Sequence, residues 1–590
     1  MKSRPVQVFL LSMAVICHQV ALIRALSLAR TFHFAYLVIG VALLGFGASG
    51  VALRLVRSAV AHRPAAWQVV LSSLSCVSLP LGYWLAMALP LDLQYLLHGG
   101  GQVTLLLACV FCLFVPFFFL AFLVGMELAQ AGKAIPGVYA ANLWGSGLGG
   151  VAGIGLAAVV PSLRLPYVTG AIVLLAFLAW ALTFWEQGCS VGRSTRLAAV
   201  LACGVVTAAA IFVLPAPRVD PYKSLATFQQ LAAQGEAERV ATRSGIRAQV
   251  DVYASPRLHQ ALFAGIQATD LPPPQLGILL DGDLAGVAFA IDRGEDAAIL
   301  DSTPQSLAYR LVEGPRVLIL GEVGGTNLWL ARRFGAKSIT VVQGHRDLAH
   351  LLQGELAGTT GSIFNAPGVT VVREEPRAFV EHAGGTWDIV HLASPEGMPA
   401  GSGGLLSLRE DWLLTTEGIV ACLRLLSDRG VVCATRGIQQ PPRDGIRLFN
   451  LFAAAIEAEG GSDPGAHLLQ ARNYLAVTTL VSREAIDAER LRRFVEATDA
   501  LGMDREYHPG IDAAAIRQLN TAPGPEGAAW SWYHEAARRI VAGDARGLER
   551  DWVYRIDAPT DDRPWFHDFF KDGALDAFVK AYGAGWMGRL

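Results

Sequence analysis

The chain has 590 residues, enough for more than one domain. Hydrophobic residues make up 53% and charged residues 17%, which is too apolar for a chain dissolved in water along its whole length. A formal net charge of −2 supplies no global basic field, so nucleic acid is not an expected partner.

The apolar excess lies in residues 1–215, read as a multi-pass transmembrane domain. A bilayer-crossing helix needs about 20 apolar residues. About seven segments reach that length: 6–28, 34–53, 67–89, 103–126, 136–160, 166–185 and 197–215. The first is too polar at its centre for a cleaved signal peptide. It carries His18, Gln19 and Arg24, and Gln19 calls for a partner within the bundle. The fifth contains Tyr139-Ala-Ala-Asn142-Leu-Trp144-Gly145-Ser-Gly-Leu-Gly149, whose Gly145 and Gly149 let two helices approach closely. Helix packing with interhelical hydrogen bonds explains these polar residues. A polar path for a substrate or proton is the alternative. Glu127 is the acidic residue nearest a span, at a helix end.

Lys2, Arg4, Arg54, Arg57, Arg63, Lys133, Arg193 and Arg196 fall on one side of the predicted bundle, and Arg30, Arg164, Arg218 and Lys223 on the other. The richer side is expected in the cytoplasm. An odd number of spans then places the remainder of the chain outside it. Of the eight cysteines, Cys109 and Cys112 have CxxC spacing, but inside an apolar helix where packing explains them. No metal site is expected.

Residues 216–312 read as a linker and an N-terminal β region, with strands around Ala248–Tyr253 and Gly277–Asp283. Residues 313–460 have the rhythm of a doubly wound, Rossmann-like α/β sheet. Predicted strands are Val317–Leu320, Ser338–Val342, Val369–Val372, Asp388–Leu392 and Gly430–Ala434, with helices from Asn327 and over 412–427. Residues 461–590 read as an α-rich extension ending in Thr560-Asp561-Asp562-Arg563-Pro564-Trp565-Phe566. The turn Gly321-Glu-Val323-Gly324-Gly325 sits where a ligand would meet backbone at a helix N-terminus. Val323 is expected to crowd that approach. Gln343 follows the second strand, where an acid normally holds ribose hydroxyls.

These residues, with Ala42-Leu-Leu-Gly45-Phe-Gly47, Pro221-Tyr222-Lys223, Asp281-Gly282-Asp283, Phe334-Gly-Ala-Lys337, Glu375-Pro-Arg377-Ala-Phe379, Thr415-Thr416-Glu417 and Pro442-Arg443-Asp-Gly445, give the chain a resemblance. It looks like the membrane-fused, spermidine-synthase-like proteins of bacteria, whose soluble domain has the class I methyltransferase fold. The motif Thr31-Phe-His33-Phe-Ala-Tyr36 belongs to the same set. The resemblance implies a multi-pass protein of the bacterial inner membrane. It also implies S-adenosylmethionine or a related nucleoside as ligand, at Gly321, Gly324, Gly325, Gln343, Glu375 and Arg377.

The departures are specific. The family's G-x-G-G-G turn is broken by Val323, its acid is replaced by Gln343, and its catalytic Asp after the fourth strand is replaced by Ala393, in His391-Leu-Ala393-Ser394-Pro395. Without that carboxylate the general-base route to an amine nucleophile is missing, and no catalytic residue is assigned. Three functions remain open: a membrane-anchored transferase with an adenosyl ligand, a non-catalytic scaffold or binding subunit of a membrane complex, and a transporter with a regulatory soluble lobe. Membrane lipid and protein partners are expected.

Overall fold

The computed structural model describes residues 4–30, 34–93, 100–183, 191–260, 263–292, 294–393, 408–513, 516, 519–520, 524, 530–571 and 573. Thr31–His33, Cys189, Ser394 and Pro395 of the sequence motifs lie outside them. The chain divides into two compact units: residues 1–227 with 242–249, and residues 228–241 with 250–590.

The first unit contains α1 (Arg4–Ala29), α2 (Phe34–Leu55), α3 (Pro64–Ala88), α4 (Gly100–Ala129), α5 (Ile135–Ala157), α6 (Gly170–Thr183) and α7 (Arg193–Phe212). Among the described residues six helices are long and apolar enough to cross a membrane, not seven: Arg4–Ala29, Tyr36–Leu55, Pro64–Ala88, Gly101–Ala129, Leu165–Leu182 and Arg193–Phe212. The predicted span 136–160 does form a helix, α5, but its seven glycines, Pro136 and Asn142 dilute its hydropathy.

Those glycines set the packing of α5. A Cβ at Gly145 would strike the Phe9 carbonyl, one at Gly149 would lie 2.6 Å from the Met13 carbonyl, and one at Gly153 would lie 2.9 Å from Val20 Cβ. The contact points rise together along both helices, so α5 runs parallel to α1 with its backbone against it. Polar side chains inside this unit find each other. Ser12 donates to Asn142 at 2.7 Å, and His18 Nδ1 lies 2.7 Å from the Thr169 hydroxyl. Arg4 pairs with Glu127 at 3.5 Å at one end of the helices. At the other end the Arg30 guanidinium donates to the Met87, Leu89 and Leu91 carbonyls, and Arg164 to the Ile211 carbonyl.

After the helices the chain forms a four-stranded sheet, β1 (Glu238–Ser244), β2 (Gln249–Ala254), β3 (Gln275–Leu280) and β4 (Asp283–Phe289), paired in chain order. The larger sheet has eight strands: β5 (Arg316–Leu320), β6 (Ser338–Val342), β7 (Val369–Val372), β8 (Trp387–Leu392), β9 (Leu426–Gly437), β10 (Leu468–Arg472), β11 (Ala476–Ser482) and β12 (Asp504–Tyr507). Their order is β12-β10-β11-β9-β8-β5-β6-β7. The five from β5 to β9 are parallel, while β11 runs antiparallel to both β9 and β10.

Both faces of the sheet are covered, which is why its central strands read as unbroken apolar runs. Val317 and Ile319 point into one core, with Ile389, Val431 and Leu328. Leu318 and Leu320 point into the other, with Val390, Val432 and Phe449. The sheet continues past residue 460, where the sequence suggested an α-rich extension. Strands β10 to β12 carry Arg472, Asp504 and Glu506 inward, and these charges satisfy one another. Arg472 pairs with Asp504 at 2.9 Å and with Glu506, each about 1% exposed.

Candidate site at the carboxyl edge of the parallel strands

In a doubly wound sheet, ligands bind outside the carboxyl ends of the strands where the strand order reverses. Here that point is the boundary of β5 with β8. Three segments meet at this edge: the turn 321–325 after β5, Gln343 after β6, and Ala393 after β8. The turn leads into a helix at Thr326–Arg333.

Gly321 has φ +81°, and a Cβ built there would find no atom within 4 Å. Its neighbour Glu322 turns inward. The carboxylate accepts the Gly325 amide at 2.7 Å and the Asn327 Nδ2 at 2.8 Å, and the residue is only 1% exposed. Burial pushes its pKa up against the hydrogen bonds that favour the charged form. An internal carboxylate thus takes the amide that a ligand anion would use at a helix N-terminus.

The next three residues pack inward as well. Val323 is half-buried and packs in part against the core. A Cβ on Gly324 would strike the Val287 carbonyl of β4, so this glycine serves the approach of two protein backbones. Gly325 has φ +93°, and a Cβ there would lie 2.8 Å from Phe364.

Gln343 is 3% exposed and folds back on the same turn. Its Nε2 donates to the Glu322 carbonyl, and its Oε1 accepts the His345 amide at 2.8 Å. The structure therefore brings Gly321, Gly324, Gly325 and Gln343 together. Glu375 occupies the N-cap position of the helix Pro376–His382 without a side-chain cap bond. Arg377 is held by Asp561 at 2.8 Å and by Glu381. Asp561 also accepts the Thr415 hydroxyl at 2.7 Å, and its amide donates to Glu417 at 3.0 Å. The Thr560–Phe566 segment is thus a docked turn, with its ion pair reaching Arg377 and not the adjacent Arg563.

His391 is fully buried on β8, its Nδ1 2.9 Å from the Tyr309 hydroxyl, and burial lowers its pKa to about 4. The Ala393 amide donates to the Leu320 carbonyl at 3.0 Å and extends the β5–β8 ladder by one residue. Among the described residues no group of three or more His, Cys, Asp or Glu side chains is disposed to hold a metal ion. Sequence reasoning missed Glu322, because an acid in a Gly-rich turn reads as solvated. It also missed the residues around β9's carboxyl end. There Arg447 donates to the Phe566 carbonyl at 2.9 Å and to the Asp568 carbonyl at 2.7 Å, and Arg436 lies 5.7 Å from the Phe566 ring centre.

A scan against protein-family models finds no match, and neither does a search of curated proteins. Among solved structures, the chain is similar to spermidine synthase from Thermotoga maritima, with 17% identity and a TM-score of 0.29 over 43% of this chain and 78% of that one. It is also similar to a spermidine synthase in complex with the transition state analogue AdoDATO, with 14% identity and a TM-score of 0.30 over 53% of this chain and 86% of that one. The α/β fold of this chain is defined by its own strand order and register, and by the six apolar helices that precede it.

Proposed function

We propose that this chain is a membrane-anchored, spermidine-synthase-like protein whose Rossmann-like domain works as a binding or scaffold domain of a membrane complex, and not as an aminopropyltransferase. The observation that carries this reading is Glu322, whose buried carboxylate occupies the Gly325 amide at the head of the turn. Gln343 reinforces it by bonding to the turn in place of reaching outward. With Ala393 where a base would stand, these residues do not fit an adenosyl group and an incoming nucleophile. S-adenosylmethionine would have to displace Glu322 first.

The parallel contact of α1 and α5 supports α5 as a seventh crossing, since a helix that tracks α1 from Phe9 to Val20 covers much of the same depth. With the Lys/Arg-rich side inside, seven crossings place the soluble domain outside the cytoplasm of a bacterial inner membrane. That side is remote from cytosolic S-adenosylmethionine. A second reading, an adenosyl-dependent transferase, draws on the open space at Gly321. Substitution of Glu322 by Ala in the full-length protein tests the proposal: binding of S-adenosylmethionine gained only in E322A supports it, and equal, tight binding by both forms overturns it.

A further inference from the structure

The helix Asp444–Ala458 joins β9 to β10, and both strands run antiparallel to β11. It is therefore a crossover that starts at the carboxyl edge of the sheet and ends at the opposite edge. Asn450, Ala453, Ala454 and Glu457 follow helical spacing and share one face of its second half. That face bounds a cavity of about 320 Å³, whose other wall is the turn between the helices Trp532–Val541 and Ala545–Asp551. Both walls are built from small residues, Ala453 and Ala454 on one, Gly543 and Ala545 on the other. Larger side chains at these positions would close the space.

Two opposite charges line the cavity without meeting. Glu457 and Arg546 are both exposed, and neither makes an ion pair among the described residues. The charges near them in sequence are already engaged. Arg424 holds Glu459 at 2.8 Å, and Arg539 holds Asp544 at 2.7 Å and Asp551 at 2.9 Å. Glu549 accepts the Ile556 amide at 2.6 Å. Asn450, only 9% exposed, also lines the cavity. Its Nδ2 donates to the Ile556 carbonyl at 2.8 Å, which leaves Oδ1 as an acceptor. Buried Ala453 and Ile540 supply an aliphatic floor.

This lining selects a class of ligand. An anion would meet Arg546 but also the repulsion of Glu457, and a cation would meet the reverse. A molecule carrying both charges satisfies both residues, and an aliphatic remainder would rest on Ala453 and Ile540. A guanidinium receives a carboxylate through two parallel bonds, while a carboxylate and an amide oxygen together suit an ammonium. The volume lies at the small end of ligand sites, which span roughly 300–1,000 Å³.

We propose that this cavity binds an aliphatic α-amino acid as its zwitterion, with the carboxylate on Arg546 and the ammonium on Glu457 and Asn450. The site is independent of the turn 321–325, so its failure would leave the reading of that turn untouched. The test is calorimetric titration of the full-length protein in neutral detergent at low salt, with leucine, isoamylamine or isocaproate. The last two keep leucine's apolar part but lack its carboxylate or its ammonium. Leucine should bind with a Kd on the order of 1 mM, and the other two about tenfold more weakly, since a charged hydrogen bond contributes about 1.5 kcal/mol or more. Arg546→Gln should bring leucine down to the level of isoamylamine and leave isoamylamine unchanged. Glu457→Gln should bring leucine down to the level of isocaproate. Both residues are exposed, so both variants should fold. Equal affinity for the three compounds, leucine binding unchanged in either variant, or no saturable leucine binding up to about 10 mM would each overturn the proposal.

Discussion

The Glu322 carboxylate accepts the Gly325 amide at 2.7 Å, three residues further along the same turn. This bond closes the turn on itself and ties Gly325 to a buried carboxylate.

The glycines should therefore differ in cost when substituted. Gly324→Ala forces a Cβ into the Val287 carbonyl, a backbone atom that cannot rotate away. A loss of about 2–3 kcal/mol is expected, at the upper part of the overpacking range. Gly321→Ala meets open space and pays only for its φ of +81°, roughly 1 kcal/mol. Chemical unfolding followed by tryptophan fluorescence compares the two. Equal costs would remove the argument that Gly324 serves packing.

A second prediction concerns the buried charges of the antiparallel strands. Arg472 holds Asp504 and Glu506 where all three are out of water. Arg472→Met would leave two carboxylates facing each other without a cation. The expected loss is about 3–5 kcal/mol, the size found when one partner of a buried pair is removed. A variant with an unchanged unfolding midpoint would contradict it.

The third is a pH dependence. Burial holds His391 at a pKa of about 4, below the unfolded value of roughly 6.5. The unfolded chain takes up this proton first as pH falls. The stability His391 contributes is thus complete above pH about 6.5 and is lost toward pH 4, about 3 kcal/mol in all. Glu322 and Glu506, whose carboxyls burial pushes up, act in the opposite direction at the acid end. Comparing wild type with His391→Gln isolates the histidine: the variant's midpoint should fall less between pH 7 and pH 5. Parallel profiles would rule out the contribution.

Topology gives the fourth. An alkaline phosphatase fusion at residue 220 should be active and a β-galactosidase fusion at the same point inactive, because α5 is counted as a crossing. The reverse pattern would place the soluble domain in the cytoplasm and remove one objection to an adenosyl cofactor.

The parallel strands were legible in the sequence because burial on both faces demands continuous apolar runs, as in Val317–Leu320. Strands β10 to β12 were not, because Arg472, Asp504 and Glu506 look like surface charges until they are seen to neutralise one another. The helix at 135–157 was legible as a helix, though its glycines trade hydropathy for contact with α1. At the candidate site, Gln343 was legible as an amide after β6, where sheets of this kind normally carry an acid. The inward turn of Glu322 was not, since only the fold shows which way its side chain points.

The most direct test is calorimetric titration of the full-length wild-type protein with S-adenosylmethionine. With Glu322 on the turn amide and Gln343 on the turn carbonyl, no saturable binding is predicted below about 1 mM, equivalent to an affinity weaker than about −4 kcal/mol. A saturable isotherm with a micromolar Kd would contradict the account and make the domain an adenosyl-binding one.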